Sequence, residues 1–259
     1  SHTSHTSHHS HVLFLIIALF AVIPALAQTP LPNAHAHNDY EHTRPLLDAL
    51  DHGFCSVEAD IYLVDGALLV AHDRKDVKPE RTLQALYLDP LRDRIKANNG
   101  RVYPNGPVFR LLIDFKSEGA PTYEVLRKIL ADYEPMLTVF SQGKVEEKAV
   151  TVIISGDAPR DVLKAEPRRL AAIDGRLSDL EGTIDPSFTP LISDSWAATF
   201  RWNRDGAMPQ DIRDKVKALT DKAHARYAIV RFWAIPARED FWEMLLDAGV
   251  DLTNADDLP

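Results

Sequence analysis

Short apolar runs alternate with stretches of helical periodicity along most of the chain. The runs predict strands at Asn33–His37, Cys55–Ile61, Leu68–His72, Phe109–Asp114, Val150–Ser155, Leu170–Asp174, Ala228–Trp233 and Val250–Asn254. Apolar residues spaced three and four apart predict helices over Pro45–Asp51, Thr122–Tyr133, Asp211–Ala225 and Glu239–Ala248, the last closed by Gly249 as its C-cap. Strands alternating with helices indicate a parallel sheet. Eight strands predict an α/β fold, a single-domain (β/α)8 TIM barrel, irregular where short loops join its early strands. No internal repeat or Gly/Ser linker divides residues 28–259.

Residues 1–27 break this pattern. A Ser/Thr/His-rich stretch precedes the uncharged apolar segment Val12–Ile23, and Ala25-Leu26-Ala27 then offers a small-residue cleavage site before Gln28. The segment is shorter than the ~20 residues of a membrane span. The expectation is a leader and signal peptide over 1–27, cleavage after Ala27, and an exported (periplasmic or secreted) domain over 28–259. The departures are the lack of Lys or Arg ahead of the apolar segment and of an initiator Met.

Composition narrows the function. The 29 basic and 38 acidic side chains give a net charge of −9, which argues against nucleic acid as a partner. The single cysteine, Cys55, leaves no internal disulfide and no Cys-rich zinc site. Beyond the leader, His35, His37, His42, His52 and His72 crowd into one short stretch. The chemistry is expected there.

His37, Glu58 with Asp60, His72 and Asp114 all fall at or near the carboxyl ends of predicted strands, where barrel active sites collect. Glu58 and Asp60, two apart on one strand, share a face. Side by side in a barrel they repel and resist desolvation, and a divalent cation relieves both. Asp114 is the natural third ligand, and an all-oxygen set favours Mg2+ or Ca2+. Lys116, two residues on, faces the same site and can meet a phosphate oxygen. His72 and His37, on either side of the carboxylates, suit general acid–base work at a phosphodiester; His35 either supports the site from behind, through packing or a contact to a ligand, or takes the place of His37.

The order His37-Asn38-Asp39, Gly53, Glu58-Ala59-Asp60, Asp65-Gly66, Val70-Ala71-His72-Asp73 resembles the glycerophosphodiester phosphodiesterase superfamily. Asp114-Phe115-Lys116 is similar to the Asp-x-Lys of its sphingomyelinase D branch. The start His35-Ala36-His37-Asn38-Asp39-Tyr40 and the stretch Thr82–Tyr87 are most like the branch named for altered inheritance of mitochondria in yeast. The closing Val230-Arg231-Phe232-Trp233, Gly249-Val250-Asp251 and Asp256-Asp257 resemble the superfamily's last strands. The resemblance implies a TIM-barrel phosphodiesterase acting on a glycerophosphodiester or phospholipid-type diester, by hydrolysis or by release of a cyclic phosphate. Asn38 stands where the superfamily carries a phosphate-binding arginine, its metal-binding Glu-Asn-Thr has no counterpart at His42-Thr43-Arg44, and Arg44 or Arg231 is left to take the phosphate. Asn38, Lys116, Arg231 and Trp233 are thus assigned to substrate.

The expected partner is a small-molecule or lipid phosphodiester, met by a monomer in transient contact with a membrane surface. Two other classes compete. His35-x-His37 also resembles the opening of amidohydrolase and histidinol-phosphatase barrels, where both histidines bind metal, but after His72 only His224 remains. A non-catalytic secreted binding module is the second. Asp174 and Arg176, at a predicted strand end, are read either as substrate-positioning or as a buried ion pair, and the four tryptophans mainly as core.

Overall fold

A computed structural model of the chain describes residues 28–141, 143–202 and 206–258; the expected leader lies outside them. Twelve strands are present among these residues: β1 (Leu31–Ala36), β2 (Phe54–Val64), β3 (Ala67–Val70), β4 (Phe109–Phe115), β5 (Val139–Ser141), β6 (Lys144–Glu146), β7 (Val150–Gly156), β8 (Arg168–Arg169), β9 (Ala171–Gly175), β10 (Leu191–Ser195), β11 (Ile229–Trp233) and β12 (Leu252–Ala255). Seven α-helices accompany them: α1 (Leu47–Asp51), α2 (Asp89–Ala97), α3 (Gly119–Asp132), α4 (Arg160–Ala165), α5 (Trp196–Thr199), α6 (Gln210–His224) and α7 (Glu239–Asp247). Eight strands pair in parallel in the order β1-β2-β4-β7-β9-β10-β11-β12, and β12 pairs back onto β1. The sheet closes on itself as a (β/α)8 barrel.

Seven of the eight expected strands are in the ring; one is not, and one ring strand was missed. Leu68–His72 is not a ring strand: β3 runs antiparallel to β2 as the return arm of a hairpin. Its turn is Asp65-Gly66, with φ +49° and +81°, the conformation a two-residue hairpin requires. The missing ring strand is β10, whose Leu-Ile-Ser-Asp-Ser reads as polar because Ser193 faces the barrel interior at its polar end. A small antiparallel sheet, β6-β5-β8, was also unforeseen.

Period-2 alternation sorts the ring residues. On β2, Cys55, Val57, Ala59 and Ile61 turn outward and are fully buried against the helices, while Ser56, Glu58 and Asp60 turn inward. Helices cover the outside with one apolar stripe each, such as Leu126 and Leu130 of α3 or Phe241 and Leu245 of α7. Inside, Leu112, Ile153, Leu191 and Leu252 form a separate apolar cluster. Two residues further along those strands stand Asp114, Ser155, Ser193 and Asn254. The barrel is plugged by hydrocarbon below and polar above.

The loop after β1 is held by a buried acid. Asp39 Oδ2 accepts bonds from the Leu46 N–H (2.6 Å) and the Tyr87 hydroxyl (2.8 Å), and Leu46 is itself held at φ +65°, a left-handed conformation unusual for leucine. Burial pushes the Asp39 carboxyl from 3.8 up to about 6, against the pull of those two donors. A raised carboxyl binds its proton more tightly when folded, so its contribution is greatest below pH 4 and is lost as pH rises towards 6. The loss amounts to about 3 kcal/mol. Asp39→Asn is therefore expected to gain on wild type by that amount between pH 4 and pH 7 in urea unfolding. Parallel stability curves would refute this.

Candidate active site

The inward residues of β2 and β4 meet at the carboxyl end of the ring. Glu58, Asp60 and Asp114 each place a carboxylate oxygen within 4.8 Å of the others. Asp60 is fully buried and Glu58 nearly so, with Asp114 partly open to the mouth. Lys116 Nζ lies 3.2 Å from both Asp60 Oδ2 and Asp114 Oδ1. Arg231, buried on the far side of the ring, reaches Glu58 Oε2 at 2.9 Å. Ser155 donates to Asp114 Oδ2 at 3.0 Å.

These contacts divide the charge unevenly. Burial alone would raise the Glu58 carboxyl, but Arg231 and the His35 ring overcome it and hold Glu58 well below the usual carboxylate range. Burial and the neighbouring Glu58 charge push Asp60 up to about 6, with Lys116 opposing. Asp60 Oδ1 is buried with no partner. An orphaned carboxylate oxygen inside a cluster of hard oxygen donors fits a divalent cation, which would relieve the same repulsion.

Gly156 is needed to set Asp114. It adopts φ +68°, and a Cβ there would collide with Asp114 Oδ1 and lie 2.5 Å from the Phe115 carbonyl oxygen. Gly156→Ala is expected to cost about 1–3 kcal/mol in urea unfolding and to weaken cation binding in calorimetry. Unchanged cation affinity would show that Asp114 is not set by this contact.

Each of the two mouth histidines has its Nδ1 tied to a carboxylate. His37 Nδ1 donates to Asp256 Oδ1 at 2.7 Å. The same oxygen accepts from Asn38 Nδ2, while Asn38 Oδ1 accepts from the Tyr40 hydroxyl at 2.9 Å. His72 Nδ1 lies 2.9 Å from Asp60 Oδ2 and 3.1 Å from the Tyr40 oxygen, and its ring stacks on that of Tyr40. With Nδ1 donating in both, each Nε2 keeps its lone pair for proton transfer.

His35 differs. It is completely buried, with Nδ1 2.7 Å from Ser56 Oγ and Nε2 3.4 Å from Glu58 Oε2. Burial, then Arg231, lower it to about 3, so it is neutral at physiological pH. His224 pairs with Asp251 at 2.8 Å, away from this site.

A cavity of about 300 Å3 opens over the cluster, lined by His37, His72, Lys116 and Trp233 among others. Arg231 also borders it but lies almost wholly in the barrel interior, with its charge directed to Glu58. Asn38 is engaged with Tyr40 and Asp256, and Arg44 pairs with Asp48 and Asp51. Trp196 and Trp202 are core, whereas Trp233 is exposed at the mouth. Asp174 and Arg176 form an ion pair at 2.9 Å on the cavity wall. A larger cavity of about 390 Å3 beside α4 contains Arg160 and Asp179, which are paired with each other, and no histidine.

Tyr40 and Asp256 fall within the family-like motifs of the sequence, but the sequence reading gave neither a role in the site. The order of these residues along the chain is that of a known family: the profile of the AIM6-like phosphodiesterase domain matches residues 27–172. The chain belongs to that family. Altered inheritance of mitochondria protein 6 of Eremothecium gossypii is 30% identical over 88% of this chain and 68% of its own length. The homolog from Arthroderma benhamiae is 31% identical over 88% and 82%. The family's phosphodiesterase-like domain thus runs from β1 through β8 into the start of β9, a span that carries every carboxylate of the cluster and both mouth histidines. A structure from Silicibacter pomeroyi, provisionally named a glycerophosphoryl diester phosphodiesterase, overlays with a TM-score of 0.48 at 12% identity, covering 89% of this chain and 91% of that one. The closed ring itself, not that overlay, defines the fold.

Proposed function

We propose that the protein is an exported, metal-dependent phosphodiesterase acting on a glycerophosphodiester or phospholipid-type diester. The observation that carries this reading is the pair of carboxylate-tethered histidines flanking the Glu58–Asp60–Asp114 cluster in one cavity. Glu58, Asp60 and Asp114 would hold one Mg2+ or Ca2+, which would supply positive charge to the phosphoryl oxygens. His37 and His72 divide the proton transfers. One, neutral, accepts at Nε2 the proton of the attacking hydroxyl as the new P–O bond forms; the other, entering as the imidazolium, donates its Nε2 proton to the leaving alkoxide as the old one breaks, so that the two exchange protonation states over the turnover. Lys116, already between Asp60 and Asp114, adds a cation at the phosphate. An attacking water yields a monoester, an internal hydroxyl a cyclic phosphate.

Phosphorus NMR of a diester panel incubated with the protein and Mg2+ or Ca2+ tests the reaction and identifies the product. No conversion of any diester with either ion would sink the reading. Export is tested separately by the intact mass of the expressed protein, which is expected to begin at Gln28.

A further inference from the structure

We propose that Arg176, pinned by Asp174, reads a negative charge on the ester arm of the substrate, so that the site prefers diesters carrying a second anionic group. The inference rests on the phosphodiesterase reading and adds the class of its substrate.

The cations bordering the cavity are not equivalent. Arg231 is directed to Glu58 and its side chain is 4% exposed. Lys116 bridges Asp60 and Asp114 and is 27% exposed. Arg176 is 42% exposed, and only its Nη1 is engaged, donating to Asp174 Oδ2 at 2.9 Å and to the Gly175 carbonyl at 3.0 Å. Its Nη2 and Nε have no acceptor among the described residues, so half of a planar fork of donors is left for a ligand.

That fork is rigidly held. Asp174 is buried, and the Oδ2 that grips Arg176 also accepts from Ser193 Oγ. The Arg176 backbone N–H donates to Asp179 Oδ2 at 2.8 Å. A guanidinium fixed along one edge loses little freedom on binding, and its fork matches the geometry of a carboxylate or phosphate. It offers donors only, which selects an anion over a trimethylammonium group. The partnerless oxygen of the pair, Asp174 Oδ1, is sealed from the mouth.

Ring order sets the reach. Arg176 follows β9, two strands from Asp114 on β4, with β7 between. Two strand spacings are about 10 Å, the span of an ester arm a few carbons long. Trp233, at the end of β11, adds an exposed apolar face along the same side.

The test uses p-nitrophenyl phosphodiesters whose second arm ends in a carboxylate, a hydroxyl or a trimethylammonium group, together with their non-hydrolysable methylenephosphonate analogues. Wild type with Mg2+ is expected to bind the carboxylate-armed phosphonate about tenfold more tightly than the hydroxyl-armed one and to show the same preference in kcat/KM. In Arg176→Gln both ratios are expected to fall towards one. Equal binding of the three arms by wild type, or a preference that survives in Arg176→Gln, would overturn the inference. Turnover without any arm preference overturns the inference alone; a binding preference without turnover overturns the reaction alone.

Discussion

Asp60→Asn is expected to abolish cation-dependent turnover while making the metal-free protein more stable. Asp60 is a buried carboxylate raised to about 6 by desolvation and by Glu58, with one oxygen unpartnered. Removing its charge relieves that repulsion, and a gain of about 1–2 kcal/mol is expected in the metal-free protein, which corresponds to roughly 2–8 °C in Tm. The same change deletes a ligand, and turnover is expected to fall by roughly three orders of magnitude, or about 4 kcal/mol of transition-state stabilisation. Glu58→Gln should match it in activity and oppose it in stability. It leaves Arg231 buried without its carboxylate, a loss of about 3–5 kcal/mol. Calorimetric Mg2+ and Ca2+ titrations, thermal melts and kinetics on both variants check this. Full turnover with unchanged metal dependence in both would remove these residues from the metal site.

His37→Ala and His72→Ala are each expected to lower turnover by about 10²–10⁴-fold, but they should differ in metal affinity. His37 is tethered to Asp256 and only approaches Glu58, Nε2 lying 4.0 Å from Oε1, too far for a hydrogen bond, so its loss should leave cation binding nearly intact. His72 holds Asp60 directly, and losing such a contact weakens metal by about 10–100-fold. Asp256→Asn keeps an acceptor for Nδ1–H but no charge, and a smaller loss, about tenfold, is expected. His35→Ala should act on stability instead, because that ring is sealed against Ser56 and Glu58. Metal titration beside kinetics across the four variants distinguishes these roles. Loss of metal in both the His35 and His37 variants would favour a His-x-His metal hydrolase.

Much of the frame was legible in the sequence, for local reasons. Glu58-x-Asp60 on an apolar strand implied two carboxylates on one inward face, and Val57 and Ile61 do pack outward. Asp114 at the end of Leu111-Leu112-Ile113 implied a third, and the three meet. The α3, α6 and α7 stripes were visible as three- and four-residue spacing, and Gly249 does close α7 at φ +91°. The return arm β3 was legible too, in the Asp65-Gly66 turn, yet an isolated apolar run does not reveal the direction in which it pairs.

The chain by itself determined what depends on neighbours a few residues apart: strand and helix periods, the inward face of β2, and a cluster of acids and histidines near its start. Tertiary structure decided what depends on closure of the ring. Five residues as polar as Leu191–Ser195 form a strand only because β9 and β11 supply hydrogen bonds on both sides. Arg231 meets Glu58, and Asp256 meets His37, because β11 and β12 come round to β1 and β2. Local propensity fixes which way a side chain points along its own strand; only strand pairing across the whole chain fixes which side chain stands opposite.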